Sequence, residues 1–193
     1  VSTFELIGGE GLRFLDEVVP EQRQPFADRP DWSVLMEIGL PPGLDPEPVL
    51  ARIYEAGEAD ALVSDAVVAA SGAQRQALWD LREMIPEANR RIGAIASHDI
   101  ALPLSEIAAF LPRAGAAIAS LGPYRINTFG HLGDGNLHYN IFPPKGGKRS
   151  DYNGCAEAIT RAVHDLVHDH GGSVSAEHGI GRLKVGELER YGD

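Results

Sequence analysis

Apolar positions along the first seventy residues switch between a period of two and a period near 3.6. STFELI alternates, Leu12, Leu15 and Val19 form a helical stripe, and WSVLMEIGL alternates again. A second stripe gathers around Val49, Leu50 and Ile53, and DALVSDAVVAA closes the series, so this region is predicted as β-α-β-α-β. The proline-rich segments Pro20 to Pro30 and Pro41 to Pro48 are read as connecting loops, because proline lacks a backbone donor and stops helices.

Further along, Gln74 to Ile92 carries a helical pattern with Trp79, Arg82, Glu83 and Ile85, which Pro86 is expected to kink or end. SHDIALP follows as an extended run. Ile107, Ala108, Leu111 and Ile118 then outline a helix that starts close to a Ser cap at Ser105 and stops at Gly122-Pro123. YRINTFGHL and NLHYNIF read as two strands. A long helix is expected from about Tyr152 to His170, with Ile159, Ala162, Val163 and Leu166 inward and Gly171-Gly172 closing it. SVSA reads as a strand leading into EHGIGRLKVGELER. Interleaved strands and helices with tight hairpins point to an α+β sandwich with a mixed or antiparallel sheet.

Composition narrows the chemistry. At 193 residues, with 44% hydrophobic and 23% charged positions, the chain is long enough for a buried core. A formal charge of −11 without a dense Lys/Arg cluster argues against a nucleic-acid partner. No apolar run approaches the roughly 20 residues of a membrane helix. VSTFELIGGEGLRFLDEVV carries neither a basic flank nor a cleavage site, so a cytoplasmic protein without a membrane span is expected. The single cysteine, Cys155, excludes an internal disulfide and a thiolate-rich metal site, and lies in an apolar helical stripe as inert core. Neither GxGxxG after a strand nor GxxxxGK[ST] is present, so nucleotide binding by those two devices is not supported.

The chemistry-bearing residues cluster in FGHLGDGNLHYNIF. Asp134-Gly135 suits a two-residue type I′ turn, in which His131 would face His138 with Cβ atoms roughly 5 Å apart. Alternation puts Asn136, His138 and Asn140 on one face and Leu137, Tyr139 and Ile141 on the other. That polar face reads equally as a metal or catalytic site and as a hydrated sheet surface. In SVSAEHGIG, Glu177 can complete a two-His, one-carboxylate set suited to Zn²⁺, Mn²⁺ or Fe²⁺. The blander reading of Glu177-His178 is a helix-capping Glu beside a surface His. His164 and His168, four apart, continue the polar stripe of Glu157 and Arg161 and read as solvated. His98, beside Asp99, is expected to make local hydrogen bonds, and Arg82 by itself reads as a surface charge beside Glu83.

GHLGDGNLH and SAEHGIG, in this order and separation, resemble the C-terminal or cap domain of the FAD-linked oxidases that include D-lactate, D-2-hydroxyglutarate and glycolate dehydrogenases. LWDLREMIPEANR is similar to the family's Arg-bearing helix and SHDIALPLSEI to its following Asp-Pro segment. The resemblance implies a ferredoxin-like α+β fold with helical insertions and a divalent metal, zinc or manganese, on His131, His138 and Glu177. It further implies that Arg82 grips a substrate carboxylate, Asn140 hydrogen-bonds the substrate, and His178 takes the hydroxyl proton of a small 2-hydroxy acid. FAD would be bound mainly by a separate N-terminal domain, in cis or trans, and the electron acceptor is left unassigned. The chain is expected to be one substrate- and metal-binding domain, inactive alone, lacking that domain and the family's closing segment. Ser97 stands where many relatives carry Lys, and Pro86 where some 2-hydroxyglutarate enzymes carry Thr, which disfavours a second substrate carboxylate. A standalone metal-dependent hydrolase and a non-catalytic ligand-binding module are the competing readings.

Overall fold

The computed structural model describes residues 1–177 and 185–191. Five strands form one sheet: β1 (Thr3–Gly8), β2 (Trp32–Glu37), β3 (Ala96–Ala101), β4 (Arg125–His131) and β5 (Asn136–Phe142), in the order β2-β1-β4-β5-β3. Every pairing is antiparallel, which resolves the mixed-or-antiparallel expectation for this α+β fold.

Strand alternation gives the sheet two different faces. One carries Leu6, Ile100, Leu137, Tyr139 and Ile141 and is covered by α4 (Leu104–Leu121) and α5 (Ala156–Asp169) through Ile107, Phe110, Ile159, Val163 and Val167. The other carries Ile7, Phe129 and Phe142, beneath Leu12, Phe14 and Leu15 of α1 (Gly9–Val18) and Leu81 and Ile85 of α3 (Gly72–Ile92). By length and composition α4 is apolar enough to cross a membrane, yet its stripe Ile107, Phe110, Ala114 and Ile118 is buried on the sheet, as in a core helix.

Several expectations are corrected. The segment 61–70 is not a strand: no described strand pairs with it, and Leu62, Val67 and Val68 are exposed. The preceding α2 (Glu47–Ala59) buries none of its residues. Pro86 neither ends nor splits α3, because Ile85, Ala88 and Asn89 around it are anchored in the interior and hold the turn together. Ser105 does not cap α4, whose N-cap is Pro103. SVSA forms only an isolated bridge from Ser173 to Ala101. Cys155 is the N-cap residue of α5, partly buried against the core.

The β4–β5 connection also differs. Leu132–Asp134 form a 3-10 turn, and only Gly135 enters the left-handed region, at φ +72°. A type I′ turn needs positive φ at both central residues, and Asp134 does not adopt it. Phe129 therefore pairs with His138, two residues displaced from the expected His131 pairing. A slip of two keeps each side chain on its face, so the polar wall survives the change of register.

Candidate active site

The polar wall crosses four strands. Glu5 of β1 lies opposite His131 of β4, and His138 of β5 lies opposite Asp99 of β3. Between the histidines, the longer turn separates the ring centroids by 6.1 Å, with the planes inclined at 75°. Glu177 joins them from the stretch after α5, its backbone N–H donating to Asp99 Oδ2 at 2.8 Å. One ligand atom each from His131, His138 and Glu177 lie within 4.8 Å of one another. His131 Nε2 stands 3.4 Å from Glu177 Oε1.

Each imidazole is backed by a carboxylate on its far side. His131 Nδ1 meets Glu5 Oε1 at 2.7 Å, and His138 Nδ1 lies 3.6 Å from Asp99 Oδ1. A proton on Nδ1 turned toward a carboxylate leaves the Nε2 lone pair for a metal, the usual backing of a ligating histidine. Burial pushes the His138 imidazole below its ordinary pKa, and the attraction of Asp99 only partly opposes this. His138 is therefore neutral near pH 7, the form that ligates. Two imidazoles, each with a carboxylate behind it, and the Glu177 carboxylate are close enough to share one ion and suit Zn²⁺ or Mn²⁺.

Arg82 is no surface partner of Glu83. It is 8% exposed and reaches down from α3 to donate from Nε (3.0 Å) and Nη2 (2.8 Å) to Glu5 Oε2. Its guanidinium carbon lies 4.9 Å from the centre of the Phe129 ring. Asn140 is buried on the same wall, paired with Asn127 on one side and the exposed Ser97 on the other. His178, Gly179 and Gly181 lie outside the described residues.

The rival histidines divide. His98 is hydrogen-bonded as expected, Nδ1 to the Tyr139 carbonyl at 2.8 Å and Nε2 to Thr160 Oγ1 at 3.3 Å. His168 is exposed, but His164 is 2% exposed with its ring 5.2 Å from that of His98, which corrects its placement on the solvated stripe. The buried arc of α5 is one residue wider than its apolar stripe because His98 offers an aromatic neighbour there.

Two site residues escape the sequence reading. Glu5 is a lone charge within the run TFELIG, which is the signal it gives, whereas Asp99 sits in ASHDIA among the polar Ser97 and His98, where alternation does not single it out.

A family model described as FAD linked oxidases, C-terminal domain, matches residues 1–193. D-2-hydroxyglutarate dehydrogenase of Xanthomonas citri pv. viticola is 33% identical over 178 residues, covering 91% of this chain and 37% of that protein. The mitochondrial D-2-hydroxyglutarate dehydrogenase of Arabidopsis thaliana is 31% identical over 190 residues, 97% of this chain and 32% of its own length. A putative mitochondrial D-lactate dehydrogenase of Schizosaccharomyces pombe is 30% identical over 195 residues, 95% of this chain and 36% of that protein. The chain thus spans about a third of the length of these curated relatives. With its whole length matched and its histidine hairpin set beside a buried arginine, the chain belongs to the FAD-linked oxidases, as their C-terminal domain.

Proposed function

We propose that this chain is the substrate- and metal-binding domain of a flavoenzyme that oxidises a small, D-lactate-like 2-hydroxy acid to the 2-oxo acid. The convergence of His131, His138 and Glu177 within 4.8 Å carries this reading. FAD, held mainly by another domain in cis or trans, would accept a hydride from the substrate Cα. A zinc or manganese ion on the three residues would supply positive charge that lowers the pKa of the substrate hydroxyl.

This chain's residues supply the rest. Arg82, its guanidinium held on one edge by Glu5, turns its remaining N–H groups to the substrate carboxylate, for which a planar fork is well suited. Asn140 hydrogen-bonds the substrate from the same wall. His178, next in sequence to Glu177, takes the hydroxyl proton, the half of the oxidation that falls to this chain. Ser97, exposed beside Asn140, offers no cation for a second carboxylate, which supports a monocarboxylate such as lactate over 2-hydroxyglutarate. Two of the relatives above carry mitochondrial names.

Elemental analysis of the purified full polypeptide, with His131→Ala, His138→Ala and Glu177→Ala alongside, tests the reading. About one divalent ion per chain, lost in all three variants together with D-lactate oxidation, is the expected result. Oxidation undiminished in the variants would overturn it, and metal-dependent hydrolysis by this domain alone would favour the hydrolase.

A further inference from the structure

Glu5 is 3% exposed, and a carboxylate so buried is costly unless both oxygens are engaged. Here each oxygen serves a different functional group. Oε1 meets His131 Nδ1 at 2.7 Å, while Oε2 accepts from Arg82 Nε and Nη2 at 3.0 and 2.8 Å. The strand register makes this possible, since Glu5 of β1 is the direct partner of His131 on β4 and α3 passes over the same face.

We propose that Glu5 is the positioning residue of this site, one carboxylate that fixes the tautomer of a metal ligand and the orientation of the substrate-binding arginine together. This rests on the function proposed above. An Nδ1–H donated to Glu5 holds the His131 lone pair on Nε2, the atom that faces Glu177. On the other oxygen, two of the five guanidinium N–H groups are tied down, which sets the plane in which the remaining three meet a ligand. No neutral side chain of this shape does both. Gln at this position has one acceptor oxygen and one NH₂, so it satisfies His131 or Arg82 and turns a donor toward the other.

Two readouts on the full polypeptide separate this role from a merely structural one. With ¹⁵N-labelled histidine and no metal, long-range imidazole spectra should give His131 as the Nδ1–H tautomer. Glu5→Gln should shift it toward Nε2–H, and Arg82→Met should leave it unchanged. In titrations with Zn²⁺ alone, Glu5→Gln should weaken binding roughly 10- to 100-fold, the usual cost of losing a carboxylate behind a ligating histidine, and Arg82→Met by less than about 3-fold. Because Glu5→Gln strands the buried Arg82 charge and can cost the fold, Glu5→Met/Arg82→Met is made as well. It removes the acceptor together with the cation and should show the same loss of tautomer and affinity. His131 in the same tautomer in all four proteins, with equal Zn²⁺ affinity, would overturn the role of Glu5. An unsubstituted protein that takes up no Zn²⁺ while Glu5 still sets the tautomer would instead overturn the metal reading and uphold the positioning role.

Discussion

Asp99 holds Glu177 by its main chain: the Glu177 backbone N–H donates to Asp99 Oδ2 at 2.8 Å, while Oδ1 of the same carboxylate faces His138 Nδ1 at 3.6 Å. One residue of β3 thus sets the place of two candidate ligands on different segments. Asp99→Ala is expected to lower Zn²⁺ affinity about 100-fold. Asp99→Asn, which keeps an acceptor for the Glu177 N–H but loses the charge behind His138, is expected to lower it about 10-fold. Competition against a chromophoric chelator measures both. Equal affinities in the two variants and the parent would show that Asp99 does not orient the ligands.

The parts of this site legible in the sequence are those with a local period. Alternation in NLHYNIF put Asn136, His138 and Asn140 on one face and Leu137, Tyr139 and Ile141 on the other, and the core follows that division. The turn is less legible, because Asp134-Gly135 fits type I′ chemistry in isolation, whereas the Leu102 N–H bonds the Gly135 carbonyl at 3.0 Å and draws the loop toward the start of α4. Long-range partners leave fainter traces. Glu5 and His131 are 126 positions apart and meet through the β1–β4 pairing, while Arg82 and Glu5, 77 apart, meet because α3 packs over that face of the sheet. His164 escaped for a similar reason, since its burial depends on His98 of another element.

Gly135 is where the observed turn can be tested. Its φ of +72° disfavours any side chain, and a Cβ there would stand 2.1 Å from the Leu102 carbonyl oxygen. Gly135→Ala is expected to destabilise the protein by about 2–4 kcal/mol, combining the left-handed penalty with displacement of the chain before α4. Chemical denaturation measures it. A loss under about 0.5 kcal/mol would mean that the loop re-forms without cost.

The metal-free protein should lose stability on mild acidification through His138. Burial lowers its pKa in the folded state below the ordinary 6.5, so the unfolded chain binds the proton more readily. The contribution of the neutral ring is complete above the unfolded pKa and is lost as pH falls through 6.5 toward the lower folded value. Melting temperatures from pH 7.5 to 5 should fall less steeply in His138→Gln than in the parent. Parallel profiles would remove His138 as the source.

Tyr139 makes the opposite kind of prediction, a substitution that costs little. Its ring is 1% exposed and packs edge-on against Phe110, with centroids 5.6 Å apart, while burial drives the pKa of its hydroxyl well above the ordinary value. Among the described residues no hydrogen-bond partner reaches that hydroxyl. A buried O–H without a partner costs free energy, so removing it relieves a penalty while the ring keeps its packing. Tyr139→Phe is expected to be neutral or stabilising by about 1 kcal/mol in denaturant unfolding. A loss above about 1.5 kcal/mol would mean that the hydroxyl is hydrogen-bonded in solution. The same variant should leave Zn²⁺ affinity unchanged, because Tyr139 points to the face of the sheet opposite His138.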